Sequence, residues 1–205
     1  AASSDGTVYA LSGTEASTDD PGTGYLTALN PDGSEKWVCE LPGLGLFILV
    51  GHDNNIYVST SYIYDSENEN MVSLIVAVDP EGTIIWSSPL MTTYTDEEGE
   101  EYTQYDFAYG QMALSGNGVL IVTADYGNLY AYDCLTGEIL WVKSDGAYYP
   151  YNSWSSHTIY RDIVYAMCEY DCYNEETDSY EWTAGIVALD VNTGEELWYV
   201  EVDDC

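Results

Sequence analysis

The side chains best placed to do chemistry are carboxylates, and they come in runs. Asp96, Glu97, Glu98, Glu100 and Glu101 crowd one short stretch, and Asp171, Glu175, Glu176 and Asp178 crowd another. Like charges about 5 Å apart repel by roughly 3 kcal/mol at an effective dielectric near 20, so such runs need full hydration or bound cations. Several carboxylates together suit Ca2+, a hard cation that takes oxygen ligands. No Asp-x-Asn/Asp-x-Asp/Asn-Gly loop of the EF-hand kind occurs, so a Ca2+ site has to be assembled from separate loops. A hydrated surface suited to salt water is the competing expectation. Because carboxylates are so abundant, no single pair points to acid–base catalysis.

Other reactive groups are sparse. His52 and His157 each fall near a strand or its turn, with no Gly-x-Ser-x-Gly elbow and no phosphate-binding loop nearby. The cysteines are Cys39, Cys134, Cys168, Cys172 and Cys205, with no Cys-x-x-Cys among them and no histidine close by, so no zinc pattern exists. An odd count in an acidic, Lys-poor chain fits an exported protein with two disulfides and one remaining thiol. Buried free thiols are the alternative. Cys168 and Cys172 are near enough in sequence to bridge the base of a loop, and Cys205, at the chain end, is open to an intermolecular bond.

The chain has 205 residues, with 36 Asp+Glu against 3 Lys+Arg and a formal charge of −33. Nucleic acid is excluded as a partner, because only Lys36, Lys143 and Arg161 could displace counterions from phosphates. Anionic membrane surfaces are excluded for the same reason, and no apolar run approaches the ~18 residues of a spanning helix. An apolar fraction of 46 % allows a real core and argues against disorder. No basic start followed by an apolar segment marks a signal peptide. Ala1-Ala2-Ser3-Ser4 fits either a mature end left by cleavage or a cut within a longer protein.

The elements that must position these groups come from a repeat. Trp37, Trp86, Trp141 and Trp198 recur at intervals of about 50 residues, the period of a solenoid or propeller. An alanine precedes each by nine or ten residues: Ala28, Ala77, Ala131 and Ala188. Between them lies Asx–Gly turn chemistry, as in Asn30-Pro31-Asp32-Gly33 and in the Thr-Gly pairs ending at Gly137 and Gly194. Apolar alternation before the turn and the tryptophan after it predict a hairpin. A further strand is predicted before each hairpin, at Val8–Leu11, Ile56–Thr60, Val119–Thr123 and Ile163–Met167. In the last three units another precedes that one, at 46–50, 107–114 and 154–159. Each unit is therefore a four-stranded antiparallel meander, A-B-C-D, and such meanders stack radially as propeller blades. Helical patterning is absent.

The Ala-x-Asp-x-x-Thr-Gly-x-x-x-Trp stretches at 131–141 and 188–198 resemble the repeat of the pyrroloquinoline-quinone-type β-propellers. That superfamily includes quinoprotein alcohol dehydrogenases and the propeller lipoprotein of the bacterial outer-membrane assembly machinery. The resemblance implies an all-β fold, one β-propeller domain over residues 1–205 with blades near 1–42, 43–90, 91–145 and 146–205. It also implies that the Trp and the Thr-Gly turn dock neighbouring blades. The first blade lacks its inner strand, and family members close with six to eight blades. A fragment of a larger propeller, a half-ring completed by another copy, and a closed four-bladed ring all remain open. The dehydrogenases hold their quinone with adjacent cysteines, a tryptophan floor and Ca2+; the chain has no adjacent cysteines, and no catalytic residue is carried over.

In such meanders the B–C and D–A connections share one face. The long stretches at 12–24, 61–72, 89–106 and 168–183 are read as loops on that face, carrying about half of the 36 acids. Tyr94, Tyr102, Tyr105, Tyr109, Tyr148, Tyr149, Tyr151 and Trp154 crowd the D–A connections, where amphipathic rings suit protein contacts or a sugar platform. The expected function is an exported, extracellular or cell-surface (or periplasmic), non-catalytic scaffold. It would bind protein, copies of itself or a larger assembly, with Ca2+ as an aid and no other cofactor. A glycan- or cation-binding module is the alternative, and a fragment of a quinone-dependent oxidoreductase the third reading.

Overall fold

The computed structural model describes residues 1–14, 22–61, 63–65, 70–95, 99–124, 128–144, 157–174 and 179–202. They are strands and turns, with no helix among them. The chain divides into two compact units, Ala1–Ala108 and Tyr109–Cys205.

In the first unit, β1 (Val8–Gly13), β2 (Gly24–Leu29) and β3 (Glu35–Leu41) form a three-stranded antiparallel sheet in that order. Where a fourth strand would pair, the first residues run back along β1. Ala2 bridges Val8, the Ala1 ammonium donates to the Tyr9 carbonyl at 3.0 Å, and Tyr9 N–H donates to the Ala1 carbonyl at 2.8 Å. The second sheet has four strands, β4 (Gly45–Val50), β5 (Ile56–Thr60), β8 (Leu74–Val78) and β9 (Ile84–Pro89). β5 and β8 are buried almost throughout, because both of their faces are covered. Leu26, Ala28, Cys39 and Leu41 of the first sheet pack against Ile56, Val58, Val76 and Val78 of the second.

The second unit repeats the plan with β12 (Ala108–Leu114), β13 (Val119–Ala124), β14 (Asn128–Asp133) and β15 (Ile139–Ser144). The last sheet is β16 (His157–Tyr160), β17 (Ile163–Asn174), β18 (Ser179–Asp190) and β19 (Glu196–Val202). Val119, Ile121, Leu129 and Ala131 pack against Val164, Ala166, Val187 and Leu189. β16 turns into β17 through Arg161 and Asp162, both at positive φ (49° and 61°), the backbone of a two-residue type I′ hairpin. The Arg161 guanidinium lies 5.1 Å from the Tyr160 ring centre. These four sheets are the blades that the repeat predicts, with the first one strand short.

Three of the four stretches expected to be loops contain strands. β6 (Ile63–Asp65) pairs with β7 (Asn70–Val72), and β10 (Met91–Thr95) pairs with β11 (Glu101–Tyr105). β17 and β18 continue past the blade as a long hairpin, paired as far as Asn174 and Ser179. The physical reason is composition: Met-Thr-Thr-Tyr-Thr and Glu-Tyr-Thr-Gln-Tyr are β-branched and aromatic, and strand propensity outweighs flanking charge. The register sets Glu169 opposite Ala184, Asp171 opposite Trp182, and Glu181 opposite Cys172.

Candidate functional site

The first candidate, a Ca2+ cage, lies largely beyond the described residues. Asp96, Glu97, Glu98, Glu175, Glu176 and Asp178 are outside them. Glu100 and Glu101 are exposed, the second at the start of β11. Asp171 sits within β17. Asp106, read as part of the acidic rim, is instead buried and accepts a hydrogen bond from Gln104 Nε2 at 2.8 Å. No three His, Cys, Asp or Glu side chains gather as a metal site among the described residues. The adjacent cysteine pair with which the dehydrogenases hold their quinone has no counterpart in the sequence, where no two cysteines are adjacent.

The bridge expected between Cys168 and Cys172 is corrected. Both lie on the continuous strand β17, and four residues of extended chain put their Cα atoms about 13 Å apart, well beyond the ~7 Å a disulfide tolerates. Cys39 is a buried free thiol, its pKa raised by burial and then by Asp79 and Glu40; a thiol held protonated is a poor nucleophile. Cys134 is also buried, and Cys205 lies outside the described residues. Of the tyrosine cluster, Tyr94 and Tyr102 face one another across β10 and β11, exposed and stacked at 5.6 Å. Tyr148, Tyr149, Tyr151 and Trp154 are outside the described residues.

The repeat residues converge most clearly. In every blade the alanine sits directly opposite the tryptophan: Ala28 with Trp37, Ala77 with Trp86, Ala131 with Trp141, Ala188 with Trp198. All four alanines are fully buried. A side chain of one methyl leaves room for the indole to lie across it. On the other flank of the alanine stands Tyr9, Tyr57, Ile121 or Tyr165. The three tyrosines meet their tryptophans at 5.8, 6.1 and 5.9 Å, tilted by 44–49°, within the range of favourable aromatic pairs. The quoted strands contain these tyrosines, but only the register shows that they share the alanine. Immediately after each alanine the pairing slips by one residue, a β-bulge common to all four blades.

This face receives a turn of the next blade. Trp37 Nε1 donates to the Pro80 carbonyl at 2.9 Å, and Trp141 Nε1 donates to the Val191 carbonyl at 3.0 Å. Pro80 and Val191 hold the second position of turns opened by Asp79 and Asp190. Each aspartate stiffens its turn: Asp79 Oδ1 accepts from the Glu81 and Thr83 amides, and Asp190 Oδ1 from those of Asn192 and Thr193. The turn then ends in a glycine pressed on the indole. A Cβ on Gly82 would lie 2.7 Å from Trp37 Cδ2, and one on Gly194 2.8 Å from Trp141 Cδ2. Both glycines are also at positive φ, 90° and 71°, so conformation and space alike demand glycine.

Trp198 is different. Its side of the last sheet carries Tyr165, Ala188 and Trp198 in one row and Met167, Ile186 and Val200 in the next. The opposite side, with Val164, Val187 and Leu189, is the one buried against the preceding sheet. Trp198 remains 43 % exposed, against 9 % for Trp86, and Met167, Ile186, Val200 and Val202 are exposed beside it.

Comparison with known proteins agrees with these blades. The family model described as outer membrane protein assembly factor BamB matches residues 22–204. No curated protein matches. Among solved structures, BamB from Moraxella catarrhalis superposes with a TM-score of 0.52 at 18 % identity, over 97 % of this chain and 62 % of that one. Quinohemoprotein alcohol dehydrogenase ADHIIG from Pseudomonas putida HK5 gives 0.52 at 13 %, over 96 % of this chain and 33 % of that one. The quinohemoprotein alcohol dehydrogenase from Comamonas testosteroni gives 0.52 at 14 %, over 95 % and 45 %. The chain thus spans between a third and two thirds of these proteins' lengths, and at such identities the likeness is one of fold. With its repeat, its blade register and the match over 22–204 in agreement, the chain belongs to the BamB family of pyrroloquinoline-quinone-type β-propeller proteins.

Proposed function

We propose that the protein is an exported, non-catalytic scaffold that holds proteins together, and that the sheet side carrying Trp198, Ile186 and Val200 is a docking surface. The single observation behind this reading is the exposed row of Trp198, Val200 and Ile186, on a sheet side that the equivalent blades bury. Family membership supports it, since the relative named for outer-membrane assembly is named for assembling proteins rather than for a reaction. Self-association is the leading form of this docking. Ca2+ bound by the acidic connections would assist by neutralising repulsion between two strongly negative chains.

Sedimentation velocity over rising protein concentration tests the reading, with and without Ca2+ and EDTA. Association that Val200→Glu removes is the expected result, because a charge placed in the centre of an apolar contact must be desolvated. A wild-type chain that stays monomeric under every condition overturns self-assembly. A second reading, glycan binding at the β10–β11 hairpin, is favoured by the exposed Tyr94–Tyr102 pair beside Glu101. Calorimetric titration with oligosaccharides in the presence of Ca2+ should then release heat that Tyr102→Ala abolishes; silence in the wild type removes it.

A further inference from the structure

The third and fourth blades are pinned by a second contact besides the indole of Trp141. It joins the β12–β13 turn, Ser115-Gly116-Asn117-Gly118, to the turn that rests on that indole. Asn117 Nδ2 donates to Asn192 Oδ1 at 2.7 Å, one residue beyond the Val191 carbonyl that receives the Trp141 Nε1–H. Ser115 Oγ donates to Asn117 Oδ1, so both atoms of the Asn117 amide are held. The next backbone nitrogen is held too, since Gly118 N–H donates to the Ser115 carbonyl at 3.2 Å. Asn117 and Asn192 are both exposed.

Asn117 is the one asparagine in the chain followed by glycine, and that dipeptide carries its own chemistry. With no Cβ on the glycine, its backbone nitrogen can approach the preceding side chain closely. The Gly118 nitrogen gives up its proton and bonds to Asn117 Cγ. The Cγ–Nδ2 bond breaks, and Nδ2 leaves as ammonia with that proton. Water then opens the succinimide ring at either carbonyl, giving aspartate or the β-linked isoaspartate. Water is the only co-reactant.

We infer that Asn117–Gly118 is a self-modifying site, and that the hydrogen bond to Asn192 of the next blade sets its rate. To cyclise, the Asn117 amide must let go of Ser115 and Asn192 and turn onto a nitrogen whose own N–H is engaged. A closed joint protects the amide, and local opening of the joint releases it. Either product exchanges an amide for a carboxylate and adds one negative charge. Isoaspartate also lengthens the backbone by one carbon inside a tightly bonded turn. There Ser115 N–H donates to the Val119 carbonyl at 2.9 Å, Val119 N–H to Ser115 Oγ at 2.8 Å, and Cys134 N–H to the Gly118 carbonyl at 2.9 Å. Because the change runs one way, the amount of product records how long the two blades have spent apart.

Incubation of the protein at pH 8.5 and 37 °C, followed by peptide mass spectrometry, tests this. The readout is the mass gained at Asn117 when NH2 becomes OH. The folded wild type should convert slowly, and the same chain unfolded in urea faster. Asn192→Ala should convert at least about threefold faster than the wild type, the size of effect one hydrogen bond exerts. Asn192→Asp keeps an acceptor oxygen at the same place and should convert no faster than the wild type. Gly33→Ala, which strains a turn in the other compact unit, should leave the rate unchanged and so separates local release from general loss of stability. The inference falls if Asn117 keeps its amide in both the wild type and Asn192→Ala. It also falls if Asn192→Asp or Gly33→Ala speeds conversion as much as Asn192→Ala does, since the bond to Asn192 would then not set the rate.

Discussion

A buried imidazole is the most exacting residue in the second unit. His157 is 8 % exposed and shares its sheet side with Ala166 and Val187. Neither ring nitrogen makes a hydrogen bond of ordinary geometry there. Burial lowers its pKa from 6.5 to about 4, against a weak opposing pull from Ile121. The folded state therefore keeps the imidazole neutral while the unfolded chain takes up a proton near pH 6.5. Stability is fully present above that pH and is lost as pH falls toward 4. The expected loss between pH 7 and pH 5 is about 2 kcal/mol. His157→Phe should remove that slope, and urea denaturation of both proteins at the two pH values measures it. An unchanged slope in the variant would assign the pH dependence to the carboxylates instead. At this scale the sequence made the tryptophans, alanines and turn glycines legible because they recur. His157 occurs once, with no periodicity to mark it, and its environment comes from a neighbouring sheet far away in the chain.

At the scale of elements, the joint between blades is a tryptophan under a turn, and its strength can be measured by comparing two glycines. Gly194→Ala must strain a backbone at φ 71° and push a methyl to within 2.8 Å of the Trp141 ring. Gly33→Ala meets the same kind of backbone strain at φ 84° but open space. Strain in the left-handed region costs about 1–2 kcal/mol, and overpacking adds typically 1–3 kcal/mol. Thermal or denaturant melts should therefore show Gly194→Ala less stable than Gly33→Ala by about 1–3 kcal/mol. Equal losses would mean that the turn does not bear on the indole. The blades were readable because alternation and turn residues repeat together. The β6–β7 and β10–β11 hairpins and the outer half of β17–β18 were not, because their acids mimic loop composition. What decides their state is cross-strand pairing, as with Tyr94 opposite Tyr102 and Thr93 opposite Thr103, and pairing is not visible until the register is known.

For the whole molecule the net charge of −33 on 205 residues sets the response to salt. Among the described side chains, one ion pair, Lys36 with Asp5 at 3.9 Å, offsets any of it. Compacting such a chain concentrates like charges, and raising ionic strength shortens the range over which they repel, from about 30 Å at 0.01 M to about 3 Å at 1 M. Denaturant midpoints should rise as NaCl increases from 10 mM to 0.5 M, with urea as denaturant so that the denaturant adds no ions. A midpoint indifferent to salt would show that the acids are already neutralised by bound cations. Composition alone argues against nucleic acid, and the repeat alone located the blades. Neither could show which sheet side carries the exposed Trp198, Ile186 and Val200, since that depends on the register.

The slip in pairing after each repeat alanine has a historical side. In two blades the tryptophan comes nine positions after the alanine and in two ten, yet in all four the pair stands opposite and the irregularity falls at the same step. A residue gained or lost at the tip is absorbed there and never reaches the interlocking surface. Tandem duplication needs this tolerance: copies can diverge where they are exposed while each descendant still fits the next.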